Sequence, residues 1–291
     1  MFYFPTLFHY TLLMRPSIWI ATDLDGTFLN LEDFKGERSA ALLPELRRAG
    51  VPVVFATSKP AVEALTLQKR YGLDDPFIVE NGAAVYYSES FLKSRNIVLE
   101  AEKRGVYRVQ RLGPSREKLL TAFQEVREKN ALPLLTLDSL PLEELSSLLE
   151  IPVDVLSLTK QREHDIPFFT LNRSDEYEAL LSEEFSYRGY RVQRGNRFYH
   201  LTGDYDKAKA LSLLFTTLGL VRGEIWLMAL GDSGNDLEML NMADLPVIVS
   251  RPDGEVDERL LKGAARALRT NSSGSDGWSE AVKALLPLFG A

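Results

Sequence analysis

The chain has 291 residues, 34 of them Lys or Arg and 41 Asp or Glu, for a formal charge of -7, with 45% hydrophobic and 26% charged residues. That composition belongs to a soluble globular protein of one large domain or two and excludes disordered, collagen-like and solenoid chains. The acidic balance argues against a nucleic-acid or anionic-membrane partner, which would call for basic patches. The absence of cysteine removes disulfides, thiolate zinc and cysteine nucleophiles. Any catalysis must come from carboxylates, hydroxyls, lysine or three histidines.

The uncharged stretch Met1 to Met14 is too short for a membrane helix, is broken by Pro5, and lacks a basic n-region and a small-residue cleavage site. The expected location is therefore the cytoplasm. Met14 is a second possible start, so residues 1–13 read as a disordered extension or a misassigned start. Ser17 to Thr22 (SIWIAT) is expected as a buried strand, Arg38 to Ala49 as a helix stopped by Gly50, and Val51 to Ala56 (VPVVFA) as the next strand. Pro60 suits the first turn of a helix over Ala61 to Tyr71, and FIVENGAAVYY reads as strand, turn at Asn81-Gly82, strand.

From Ser88 to His200 the texture changes to shorter, mixed segments, expected to form a separate α+β module. An α/β pattern resumes with a helix at Asp206 to Leu218, a buried strand at Ile225 to Leu230, a helix opened by GDSGND, and a short strand at Pro246 to Ser250. The fold expected is α/β: a Rossmann-like parallel-sheet core formed by residues 14–87 and 201–291, with an inserted α+β cap at 88–200.

DLDGT, Asp23 to Thr27, follows the first strand, at the end of a sheet where α/β proteins bind ligands. Two carboxylates about 5 Å apart repel by about 3 kcal/mol at an effective dielectric near 20, so the pair calls for a cation or a proton. GDSGND, Gly231 to Asp236, also follows an apolar strand and brings Asp232 and Asp236 towards one side of a helix start. Read alone, those acids are equally natural as a cap and a first-turn charge. Together the two motifs converge several carboxylates with no Cys or His, a donor set that points to magnesium. Thr57 and Ser58 stand before a helix, where hydroxyls and N–H groups either hold phosphate or cap. Lys207 opposes the dipole of its own helix, a conflict that a bound phosphate would repair; Lys209 is the rival position.

DLDGT, ATSKP, DKAKAL and GDSGND, in that order, resemble the motifs of the haloacid dehalogenase superfamily of aspartate-nucleophile phosphatases. The resemblance implies Asp23 as nucleophile, Asp25 as general acid and base, and Thr57, Ser58 and Lys207 as phosphate ligands. It also implies Mg2+ held by Asp23, the Asp25 carbonyl and Asp232, with Asn235 and Asp236 behind them. Thirty-four residues separate Asp23 from Thr57 and 150 separate Thr57 from Lys207, so the insertion falls between the second and third motifs. Superfamily members with that arrangement close an α+β lid over sugar phosphates.

PFIVENGAAVYY, QREHDIPF, GDYDKAKA and GSDGWSEAV look like the mannosyl-3-phosphoglycerate phosphatase family, which makes the compatible solute mannosylglycerate. By that resemblance Asn81, Gly82, Arg162 and Glu163 contact the substrate, with Arg162 suited to a glycerate carboxylate; His164 and Ile166 depart from the family pattern. A glucosyl-3-phosphoglycerate or other sugar-phosphate phosphatase, a phosphomannomutase and a non-catalytic sensor are the alternatives. The oligomeric state is left open. His9 and His200 are expected to be packed or surface residues.

Overall fold

The computed structural model describes residues 16–170, 175–194, 198–221 and 223–286; the 1–13 segment lies outside them. In chain order, β1 (Ser17–Thr22), the short helices α1 (Glu37–Ala40) and α2 (Leu43–Arg48), β2 (Val53–Ala56), α3 (Ala61–Arg70) and β3 (Phe77–Val79) make two βαβ units. β4 (Ala84–Ser88), α4 (Glu89–Ser94), β5 (Glu102–Arg104) and β6 (Tyr107–Arg111) follow. The chain then builds α5 (Arg116–Lys129), β7 (Leu134–Thr136), α6 (Leu142–Leu149), α7 (Val153–Thr159), β8 (Ile166–Thr170), α8 (Asp175–Ser186), β9 (Arg191–Arg194) and β10 (Tyr199–Thr202). It closes with α9 (Lys207–Thr217), β11 (Ile225–Gly231), α10 (Leu237–Met242), β12 (Leu245–Ser250), α11 (Glu258–Gly263), β13 (Leu268–Ser273) and α12 (Gly274–Leu285).

Two sheets result. The larger runs β13-β12-β11-β1-β2-β3-β4-β6-β5, parallel from β13 to β3 and antiparallel beyond; the smaller runs β7-β8-β10-β9 and is antiparallel throughout. Helices cover both faces of the larger sheet, which is why its central strands are apolar on both sides. Along β1 and β2, Ile20, Val53 and Phe55 enter one core cluster while Trp19, Ala21, Val54 and Ala56 enter the other. Phe123, Phe168, Phe185 and Tyr199 form the core between the smaller sheet and its helices α5 and α8. Among the described residues no helix is long and apolar enough to cross a membrane.

Successive strands progress from β1 to β3 on one side of β1 and from β11 to β13 on the other. The strand order therefore reverses between β1 and β11, and the crevice at their carboxyl ends is where open α/β sheets take ligands. DLDGT and GDSGND leave from those two ends.

Two expectations need correction. The helix over residues 38–49 is split after Ala40, because Pro44 has no N–H and its ring crowds the carbonyl one turn earlier. The change of texture at Ser88 is not a change of sheet. β4 pairs with β6 from Ala84↔Arg111 to Ser88↔Tyr107, so the larger sheet continues to Arg111. YRVQR looks foreign to the core because Val109 alone is fully buried and the polar residues beside it are satisfied at partly buried positions, as Gln110 is by the Tyr87 and Thr217 hydroxyls. At the other end, β10 belongs to the smaller sheet, which extends to Thr202. The polar edge strand β13 gave no apolar signal in the sequence.

Candidate active site

Asp23 is the first residue past β1, and its N–H donates to Leu230 O at 2.9 Å, continuing the parallel ladder by one step and fixing the carboxylate beside β11. Its carbonyl accepts from the Thr22 hydroxyl at 2.8 Å, and Trp278 Nε1 donates to that same hydroxyl at 3.0 Å. The turn that follows passes so close to the other motif that a Cβ on Gly26, which has φ +79°, would lie 2.9 Å from Asp232 Oδ2. Only glycine admits that approach. Asp23, Asp232 and Asp236 are all buried, with one oxygen from each within 4.8 Å of the others.

Lys207 is the buried cation among these acids. Its Nζ donates at 2.6 Å to Asp23 Oδ1 and at 2.6 Å to Asp236 Oδ1. Burial works against its charge, yet the two carboxylates hold its pKa above the ordinary lysine value. Asp206, not Lys207, caps α9, its side chain accepting from Lys209 N at 2.7 Å. Lys209 lies out in solvent with Asp204, whereas Lys207 is turned into the acid cluster. Asp236 is occupied on both sides: Oδ1 takes Lys207, and Oδ2 accepts from the N–H groups of Asp232 and Ser233 at 3.1 Å each. Ser233 is the residue that starts the helical turn, in a reciprocal capping box with Asp236. Asp232 is left facing the cluster, with Arg251 Nε 3.4 Å from its Oδ2.

Buried carboxylates therefore outnumber the buried ammonium. Burial pushes Asp23 well above the usual carboxylate range, and burial followed by Asp236 pushes Asp232 up to about 7. A divalent cation bound to these oxygens would return both to the anionic form. With an all-oxygen donor set and the close-packed Gly26 turn, the residues present fit magnesium.

Asp25 stands at the rim, partly exposed, with Oδ2 2.9 Å from Lys59 Nζ; Oδ1 is buried without a hydrogen-bond partner. Thr57 is buried, and its hydroxyl accepts from Lys59 N at 3.0 Å. Neither Thr57 nor Ser58 caps α3, whose first turn is preceded by Pro60. This removes the capping explanation of ATSKP. Asn81 Oδ1 accepts from Asn235 Nδ2 at 2.9 Å, and Asn235 Oδ1 accepts from the Ser233 hydroxyl at 2.6 Å. Gly82 is packed against the start of α9, where an added Cβ would come within 2.1 Å of Asp206 O.

The turn Arg162 to Asp165, from the insertion, lies against this end of the larger sheet. Arg162 Nη1 donates to Ser58 O at 2.8 Å and to Asp165 Oδ2 at 2.9 Å, and its buried Nε has no partner. Glu163 points away, to Arg104 and to Arg111 Nη1 at 3.0 Å. His200 Nδ1 is 2.8 Å from Asp165 Oδ2; burial works against the Asp165 charge, but His200 and Arg162 hold its pKa low. His164 is buried between Pro114 O and Arg111.

Sequence reasoning missed Glu80. Its buried carboxylate accepts from Glu163 N at 2.9 Å and His164 N at 2.8 Å, tying the inserted turn to the β3–β4 connection. Burial raises its pKa to about 7. The signal was an acid directly after the apolar run FIV. Lys59 and Arg251, both at the rim, were missed as well.

A family profile, haloacid dehalogenase-like hydrolase, matches residues 20–113 and 158–269. The chain belongs to this family. A glucosyl-3-phosphoglycerate/mannosyl-3-phosphoglycerate phosphatase from Persephonella marina is 32% identical over 92% of this chain and 96% of that protein. A mannosyl-3-phosphoglycerate phosphatase from Pyrococcus furiosus is 29% identical over 79% of this chain and 90% of its own length. Among solved structures, a haloacid dehalogenase-like hydrolase from Bacteroides thetaiotaomicron covers 92% of this chain and 98% of its own, at TM-score 0.64 and 20% identity. A Synechocystis sucrose-phosphatase solved with sucrose and phosphate covers 92% and 98%, at TM-score 0.59 and 18% identity. These two establish the fold alone: a parallel-sheet hydrolase core carrying an inserted α+β module.

Proposed function

We propose that the protein is a magnesium-dependent phosphatase that releases phosphate from mannosyl-3-phosphoglycerate or its glucosyl counterpart. The observation that carries this reading is the buried set Asp23, Lys207, Asp232 and Asp236 at the β1/β11 reversal point, in a chain similar over nearly its whole length to phosphatases of those names. A cytoplasmic location accords with a phosphorylated, charged substrate, which does not cross a bilayer unaided.

Asp23, Asp232 and the Asp25 carbonyl would hold the ion, with Asn235 and Asp236 fixing the loop behind Asp232. When bound, magnesium neutralises phosphoryl oxygens and allows an anionic ester to approach an anionic nucleophile. Asp23 attacks phosphorus and forms an aspartyl-phosphate, dividing one difficult hydrolysis into two steps. Asp25 protonates the leaving ester oxygen and then takes a proton from the attacking water. Lys207 spreads the charge that builds on the phosphoryl group, helped by the hydroxyl and main-chain N–H groups of the Thr57–Ser58 loop. The smaller sheet with its helices acts as the lid, which shields these steps from bulk water.

A phosphate-release screen over glycosyl-3-phosphoglycerates and hexose phosphates, with and without magnesium, tests the reading. The glycosyl-3-phosphoglycerates should give the highest kcat/KM. A simple hexose phosphate outranking them would defeat the substrate assignment and leave the phosphatase assignment standing.

A further inference from the structure

The proposed substrate carries a carboxylate a short three-carbon chain away from the ester oxygen, and that charge needs a cation. Arg162, the residue suited to it on sequence grounds, already donates through one nitrogen to Ser58 O and Asp165, and its side chain is only 10% exposed. Lys59 is better placed. The leaving oxygen must come within hydrogen-bond reach of Asp25, so the leaving group lies beside Asp25, and the cation paired with Asp25 is Lys59, its Nζ 2.9 Å from Asp25 Oδ2. The ammonium is 3.3 Å from Glu63 Oε2 and 5.5 Å from the centre of the Phe34 ring.

The main chain around Lys59 is pinned, with its N–H on Thr57 Oγ1 and its carbonyl accepting from Glu80 N at 3.0 Å. Phe34 is held over it in a left-handed conformation, φ 53°, rare for a bulky residue and kept only where the surrounding structure over-determines the backbone. Its ring is half exposed although it belongs to a closed loop in which Phe34 N donates to Asn30 O and Asn30 N to Lys35 O. A lysine fixed at the stem, shared between two carboxylates and covered on one side by an aromatic ring, can exchange one carboxylate partner for another without moving the backbone.

We propose that Lys59 reads the carboxylate of the leaving group, and so distinguishes glycosylated glycerate phosphates from phosphate esters of the same size that lack the carboxylate. This inference rests on the substrate class proposed above. A charge-assisted contact of this kind is worth about 10- to 100-fold in discrimination.

The test compares kcat/KM for a glycosyl-3-phosphoglycerate with that for the analogue in which the carboxylate is replaced by a hydroxymethyl group, using the full-length protein with magnesium. Wild type should favour the carboxylate ester, Lys59→Gln should lower that ratio about tenfold or more, chiefly through KM, and Lys59→Arg should restore most of it. If Lys59→Gln depresses kcat on both esters equally and leaves the ratio unchanged, Lys59 serves only to hold Asp25 and the proposal is overturned. It is also overturned if Arg162→Gln collapses the ratio while Lys59→Gln does not. Wild type that turns over neither ester while hydrolysing hexose phosphates overturns the substrate reading itself, an outcome distinct from the other two.

Discussion

Asp23, Asp232 and Asp236 at the β1/β11 crevice and Glu80 and Asp165 at the junction with the insertion are all buried but differ in how they are satisfied. At the crevice, three buried carboxylates share one buried ammonium, with Arg251 at the rim. At the junction the protein supplies its own partners: Glu80 takes two main-chain N–H groups, Asp165 takes Arg162 and His200, and Glu163 takes Arg104 and Arg111. A cluster left short of positive charge is built to receive it from a ligand, whereas a cluster already neutralised is built to hold two pieces of structure together.

Removing the proposed nucleophile should break this contrast most severely. Asp23→Asn is expected to lower phosphate release by about 10^4-fold or more and to abolish phosphoenzyme trapping in a rapid-quench assay. Lys207→Met comes next. Withdrawing the buried ammonium should cost about 3 kcal/mol in metal-free chemical denaturation, because two buried carboxylates lose their partner, and about 10^2- to 10^3-fold in kcat. Chelation should abolish turnover. Restoring magnesium at about 100 times its Kd should recover activity and add about 2.7 kcal/mol of stability, read as a shift in Tm, with no comparable shift in an Asp232→Asn variant.

The smallest effect belongs to the junction. Glu80→Ala leaves two main-chain N–H groups without an acceptor and should cost about 1–3 kcal/mol. Glu80 also carries a pH signature of known sign. Its folded pKa of about 7 lies above the ordinary 4.5, so between those values the native state binds more protons than the unfolded chain. Its contribution to stability is complete below about pH 4.5 and falls as the pH rises through about 7. Glu80→Gln should flatten that part of the stability profile, measured by denaturation across pH, while leaving the metal response in place.

The crevice was the more legible of the two regions. Apolar runs ending in DLDGT and GDSGND mark strands whose carboxyl ends must meet if the sheet is parallel, and those local signals alone bring Asp23 and Asp232 together. The choice of Lys207 over Lys209 needed the helix phase, since both are near the start of α9 and only the structure turns one inward. The junction was nearly invisible. Glu80, Asp165 and Arg162 come together across more than 80 residues of chain, and the partners of Glu80 are main-chain N–H groups, which leave no trace in residue type. The extent of the larger sheet is hard to read for a related reason: β6 pairs with β4, and β5 with β6, through backbone hydrogen bonds, while most of their side chains are polar and incompletely buried.

Three consecutive residues in positive-φ conformations, Glu80, Asn81 and Gly82, lie in the four-residue β3–β4 connection. Each touches a different part of the molecule: the inserted turn, the Asn235 loop, and the start of the helix that carries Lys207. This makes the segment intolerant of length change, since one residue added or removed would misplace all three attachments together. Transplanting the insertion of another hydrolase onto this core would therefore require bringing that protein's own β3–β4 connection with it, and the practical unit of exchange is the insertion plus those three residues.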